Sequence, residues 1–62
     1  MSRWTDEDYQ VAAKLIVAHA GLDAARGERV AVQKIERAIS DGADRDRLEA
    51  AIEGVVRWLV RQ

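Results

Sequence analysis

The chain has 62 residues, ten of them basic and eleven acidic, with no cysteine and a single histidine. This length allows one small domain, near the lower limit for a chain that folds without a metal or disulfides. The missing cysteines exclude disulfides, thiolate metal sites and a cysteine nucleophile, and one histidine cannot build a histidine metal site within one chain. We therefore predict a single domain over 1–62 that holds no metal or cofactor.

Charge and hydropathy argue against two further classes of partner. Basic and acidic residues alternate and leave a net charge of −1, so a concentrated cationic surface for a nucleic acid is not expected. The longest apolar stretch, 15–20 with His19 included, is far shorter than the roughly 20 residues that cross a bilayer. The start, MSRWTDED, also lacks the apolar segment of a secretory signal. We expect a soluble, cytoplasmic protein without a membrane partner.

Proline is absent and apolar residues recur at helical spacing, which predicts an all-α fold. The first helix is predicted at about 6–20. Thr5 is a good N-cap, Asp8 stands at the capping-box position, and Trp4 and Tyr9 occupy the two positions of a hydrophobic staple. The glycine that follows this range can adopt the positive φ with which many helices end.

Two further helices are predicted, at about 24–40 and 45–61. Asp23 is a candidate N-cap for the second helix, but Gly27 then falls in the first turns, costs about 1 kcal/mol and predicts a distorted start. Asp44 is the expected N-cap of the third helix. Because the connecting turns are short, consecutive helices should pack antiparallel in a compact three-helix bundle.

No arrangement typical of a catalytic site is found, and we predict a protein that is not an enzyme and has no small-molecule substrate. His19 falls within the apolar arc of the first helix, without an orienting carboxylate and a reacting hydroxyl beside it. We interpret it as a structural residue of a packed face. Arg45 and Glu49, like Glu53 and Arg57, have the spacing of ion pairs on a helix surface.

The informative feature is a surplus of apolar surface on the first and third helices. On the third helix, apolar residues span an arc of roughly 200°, whereas a helix that packs on one side needs somewhat over 100°. On the first helix they occupy most of the circumference. A bundle this small cannot bury both helices almost all round, so part of this surface should contact another chain. The predicted interface residues are Val11, Leu15, Val56, Trp58 and Val60.

We therefore predict a small non-catalytic helical module for protein interaction and assembly, which forms a homodimer in the simplest case or binds another protein. The alternative is a small helix-turn-helix-like DNA-binding regulator of microbial or phage origin. Its recognition helix would be the third helix, where Arg45 and Arg47 lie beside acidic residues that repel phosphates. A third interpretation is a designed helical bundle without a biological function.

Overall fold

The computed structural model describes residues 3–62, and the first two residues lie outside that range. Within it, three α-helices follow one another: α1 at Asp6–Ala20, α2 at Arg29–Ser40 and α3 at Arg45–Arg61. A short 3-10 helix at Gly21–Arg26 joins α1 to α2. The predicted all-α three-helix bundle is confirmed.

The start of α1 is defined by contacts among neighbouring side chains. The Thr5 hydroxyl accepts a hydrogen bond from the Asp8 N–H at 3.2 Å, and the Asp8 carboxylate accepts one from the Thr5 N–H at 2.9 Å. The ring centroids of Trp4 and Tyr9 lie 5.2 Å apart. The predicted capping box and hydrophobic staple are therefore both confirmed, and together they fix the direction in which the chain enters α1.

The predicted start of the second helix, at about 24, is wrong, whereas the predicted distortion around Gly27 is confirmed. The chain instead forms the 3-10 helix and then passes through Gly27, which adopts the left-handed conformation with φ 80°. A residue in that conformation cannot lie inside a right-handed helix, so α2 begins only at Arg29. Asp23 does not cap α2. It lies within the 3-10 helix, where its carboxylate is 3.9 Å from the Arg26 guanidinium.

The start of α3 agrees with the prediction, but its capping differs. Asp44 has the extended backbone of an N-cap residue, yet its side chain accepts no capping hydrogen bond. The Asp44 N–H instead donates to the Tyr9 hydroxyl at 2.8 Å, across 35 residues of sequence. The turn between α2 and α3 is thus tied directly to the first helix.

The helices pack with α1 and α3 side by side and parallel, while α2 runs antiparallel to α1. The beginning of α1 meets the beginning of α3, because Arg47 forms an ion pair with Asp6 and lies over the Tyr9 ring, 4.6 Å from its centroid. The same end of α1 meets the end of α2, where the Trp4 indole N–H donates to the Asp41 carbonyl at 3.4 Å. The most extensive helix–helix contact is that between α1 and α3.

The buried core among the described residues is rich in alanine. Small side chains let the helices approach closely, but each of them removes little apolar surface from water. Within residues 3–62, no helix combines the length and the apolar content that crossing a membrane requires. The core residues are Tyr9, Ala13, Ile16, Val17, Ala24, Ala31, Ile35, Ala38, Ala43, Leu48, Ala51, Ile52 and Val55.

Candidate protein-interaction surface

An apolar stripe runs along the side of α1 that faces away from the core. Val11 is 52% exposed and Leu15 56% exposed, and Ala18 is exposed as well. These three residues have the i, i+4, i+7 spacing that places side chains in one row along a helix. At 100° per residue, the row lies opposite the buried residues Ala13 and Ile16. We call Val11, Leu15 and Ala18 the α1 ridge.

A groove lies beside this ridge, between α1 and α3. It has a volume of about 840 Å³; Lys14 and Ala18 line it on the α1 side, and Gly54 and Trp58 line it on the α3 side. Trp58 is 59% exposed. Because Ala18 belongs to both features, the α1 ridge continues into this α1–α3 groove without a break.

The five predicted interface residues do not form one surface. Val11, Leu15 and Trp58 lie on the ridge or in the adjacent groove. Val56 is partly buried and packs against the core. Val60 is 68% exposed, but it stands two residues from Trp58, roughly 200° around the helix axis, and therefore lies on the opposite flank of α3.

Two groove residues were not predicted, although the sequence carries a signal for one of them. Gly54 is a glycine in the interior of a predicted helix, which is unfavourable and indicates a packing or functional reason. A side-chain carbon at this position would meet no atom within 4 Å, so the missing side chain widens the groove. Lys14 lies on the charged side of α1, and periodicity does not reveal that this side borders α3.

His19 does not lie on a packed face, which corrects the prediction. The residue is exposed, and its Nδ1 atom lies 2.8 Å from the Leu15 carbonyl oxygen one turn earlier in α1. Its position on the helix is at the border of the ridge and away from the buried side, which explains the exposure. The imidazole therefore contacts the backbone near the helix end and is not part of the core.

The arginines that the DNA-binding alternative requires are paired with carboxylates. Arg45 lies 3.8 Å from Glu49, at the i, i+4 spacing that predicts an ion pair, and Arg47 pairs with Asp6. Exposed pairs of this kind contribute about 1 kcal/mol or less to stability. They do, however, cancel positive charge where a DNA phosphate would need it.

Among residues 3–62, no three or more histidine and carboxylate side chains gather closely enough to hold a metal ion. Comparisons with protein families, curated proteins and solved structures give no match.

Proposed function

We propose that the chain is a non-catalytic helical interaction module that self-associates through the α1 ridge and the adjoining α1–α3 groove. The observation that carries the proposal is the exposure of Val11, Leu15 and Trp58, three large apolar side chains on adjoining surfaces of a very small domain. Contiguous exposed apolar residues on small proteins are typical of interfaces. A cytoplasmic homodimer is the simplest form of this proposal, because two-fold dimers are the commonest closed assembly.

The alanine-rich core supports self-association on energetic grounds. Fully burying a valine or leucine side chain stabilises a protein by about 1.5–3 kcal/mol. Several such side chains are at the surface here, while alanines occupy many of the core positions. Association would remove ridge and groove side chains from water and would add stability that the small core does not supply.

A pair of matched substitutions tests the proposal. Leu15→Glu places a charge in the middle of the ridge, whereas Val30→Glu places the same charge at an exposed valine of α2, 41% exposed and far from the ridge in sequence. We expect Leu15→Glu to raise the dimer dissociation constant at least about thirtyfold, an interface cost of about 2 kcal/mol. Val30→Glu should associate like the parent chain.

Sedimentation equilibrium measures both constants, and circular dichroism checks that the helices are intact. Equal dissociation constants for the two variants and the parent chain would mean that the ridge is not the interface.

A second candidate is the helix-turn-helix-like regulator, which one feature of the fold favours. The turn between α2 and α3 is short and contains Gly42 at φ 113°, as in helix pairs that dock into DNA. A titration with random duplex DNA at increasing salt concentration tests this candidate. Binding that weakens steeply with salt would support it, and an absence of binding at low salt would remove it.

A further inference from the structure

Acidic residues and nitrogen bases border the α1 ridge in a regular order. On the flank toward α3, Glu7 lies near the beginning of the helix and Lys14 lies seven residues later, lining the groove. On the other flank, Asp8 lies near the beginning and His19 near the end. Each flank therefore carries a carboxylate toward the N-terminus of α1 and a nitrogen base toward its C-terminus. All four side chains are exposed.

We propose that the partner on this surface is a second copy of the chain, which docks with its α1 antiparallel along the ridge. The inference rests on the proposed self-association and adds the relative direction of the two α1 helices. In an antiparallel pair related by a two-fold axis, each flank of one helix faces the same flank of the other in the reverse direction. Glu7 then faces the partner's Lys14, and Asp8 faces the partner's His19.

One position of the axis serves both flanks. Ala12 lies between the midpoint of Glu7 and Lys14 and the midpoint of Asp8 and His19. With the two-fold axis at the level of Ala12, the two partners of each pair are offset by about three residues, roughly 4.5 Å along the helix. Glutamate and lysine side chains are long enough to cover this offset. The same axis sets Val11 and Leu15 of one chain against those of the other, so the apolar ridge is covered at its centre.

The charge order disfavours the parallel arrangement. If two copies of α1 ran in the same direction about a two-fold axis, opposite flanks would face each other at equal heights. Glu7 would then face the partner's Asp8, so that two carboxylates would meet, and Lys14 would have no carboxylate opposite it. Like charges at an interface weaken the arrangement that brings them together. The order of acidic and basic residues on the two flanks therefore favours the antiparallel dimer.

The antiparallel arrangement also covers part of the α1–α3 groove. Trp58 and Ala18 line the same groove, so Trp58 lies near the C-terminal end of α1. An antiparallel partner brings the first turn of its own α1 to this height. Ridge and groove therefore belong to one interface, in which the tryptophan lies at the edge of the helix–helix contact.

A charge exchange tests the pairing of Glu7 with the partner's Lys14. Glu7→Lys and Lys14→Glu each place like charges opposite one another, so each should raise the dissociation constant about fivefold. The double variant restores opposite charges and should return to within about twofold of the parent value. Glu36→Lys, an exposed α2 position outside the ridge, is the control and should leave the dissociation constant unchanged.

Single cysteines in this cysteine-free chain test the direction of packing. With the axis at Ala12, the two copies of Val11 lie close to the axis, while the two copies of Ala18 are separated by roughly 18 Å along the helices. A disulfide requires Cα atoms within about 7 Å. Val11→Cys should therefore form a covalent dimer under mild oxidation, and Ala18→Cys should not.

The outcomes separate this inference from the proposed function. A parent chain that is monomeric at every concentration overturns both. A dimeric parent whose Ala18→Cys variant oxidises as readily as Val11→Cys leaves self-association standing and overturns the antiparallel geometry. The antiparallel geometry is also overturned if the double variant with Glu7→Lys and Lys14→Glu fails to recover the parent dissociation constant.

Discussion

At the scale of single residues, the best-defined feature is the start of α1, where two side chains satisfy two backbone N–H groups. The Thr5 hydroxyl and the Asp8 carboxylate exchange hydrogen bonds with each other's N–H groups. Such groups have no partner within the helix and depend on capping. This arrangement was predictable, because the interacting residues are only three positions apart.

Removing the Thr5 hydroxyl should therefore destabilise the fold measurably. We expect Thr5→Ala to lower the free energy of unfolding by about 1 kcal/mol. Thr5→Ser keeps a hydroxyl at the same position and should stay close to the parent value. Urea denaturation followed by circular dichroism measures both variants, and equal midpoints for the alanine and serine variants would contradict the capping role.

Long-range contacts of single residues were not predictable in the same way. Tyr9 was predicted only as the partner of Trp4, yet its hydroxyl also accepts the Asp44 N–H and its ring lies beneath Arg47. These contacts join residues more than thirty positions apart, and the sequence pattern does not report the relative height of two helices. His19 shows the same limit, since a helical wheel drawn without neighbours does not identify which apolar arc is buried.

At the scale of elements, two glycines have opposite effects on their segments. Gly27 separates the 3-10 helix from α2. Its φ of 80° is a left-handed conformation that residues other than glycine adopt only at a cost. Gly54 lies inside α3 with ordinary helical geometry and open space around it. The first glycine is needed for the turn, while the second weakens its helix.

Alanine substitutions at these two positions should change stability in opposite directions. Gly27→Ala should lower the free energy of unfolding by about 1 kcal/mol or more, because its native φ is unfavourable for alanine. Gly54→Ala should raise it by about 0.5–1 kcal/mol through helix propensity. Urea denaturation at a low protein concentration separates these effects from association. A stabilising Gly27→Ala substitution would show that the left-handed turn is not required.

The boundaries of the helices were predictable where a local signal marks them and were missed where two local structures compete. The starts of α1 and α3 agree with the predictions: Thr5 caps α1, and Asp44 has the extended backbone of an N-cap residue before α3 although its side chain forms no capping hydrogen bond. The second helix was placed too early, because its first predicted residues also fit a 3-10 helix. Gly27 decides between the two, because its left-handed conformation ends the 3-10 helix before α2 begins.

At the scale of the whole molecule, the central feature is the mismatch between a core rich in alanine and large apolar side chains at the surface. The surplus of apolar surface was predictable from the wide apolar arcs of the first and third helices, but the location of the exposed part was not. Periodicity gives the width of an apolar arc, but it does not show which residues of neighbouring helices cover the edges of that arc. Val56 is consequently partly buried against the core, and Val60 is on the far flank of α3 from Trp58.

The mass of the protein in solution tests self-association most directly. Size exclusion with light scattering, over a micromolar concentration range, should give a mass that approaches twice the chain mass of 6.9 kDa as concentration rises. The melting temperature should rise with concentration as well, because association stabilises the folded chain by mass action. A constant mass of 6.9 kDa together with a concentration-independent melting temperature would contradict the account.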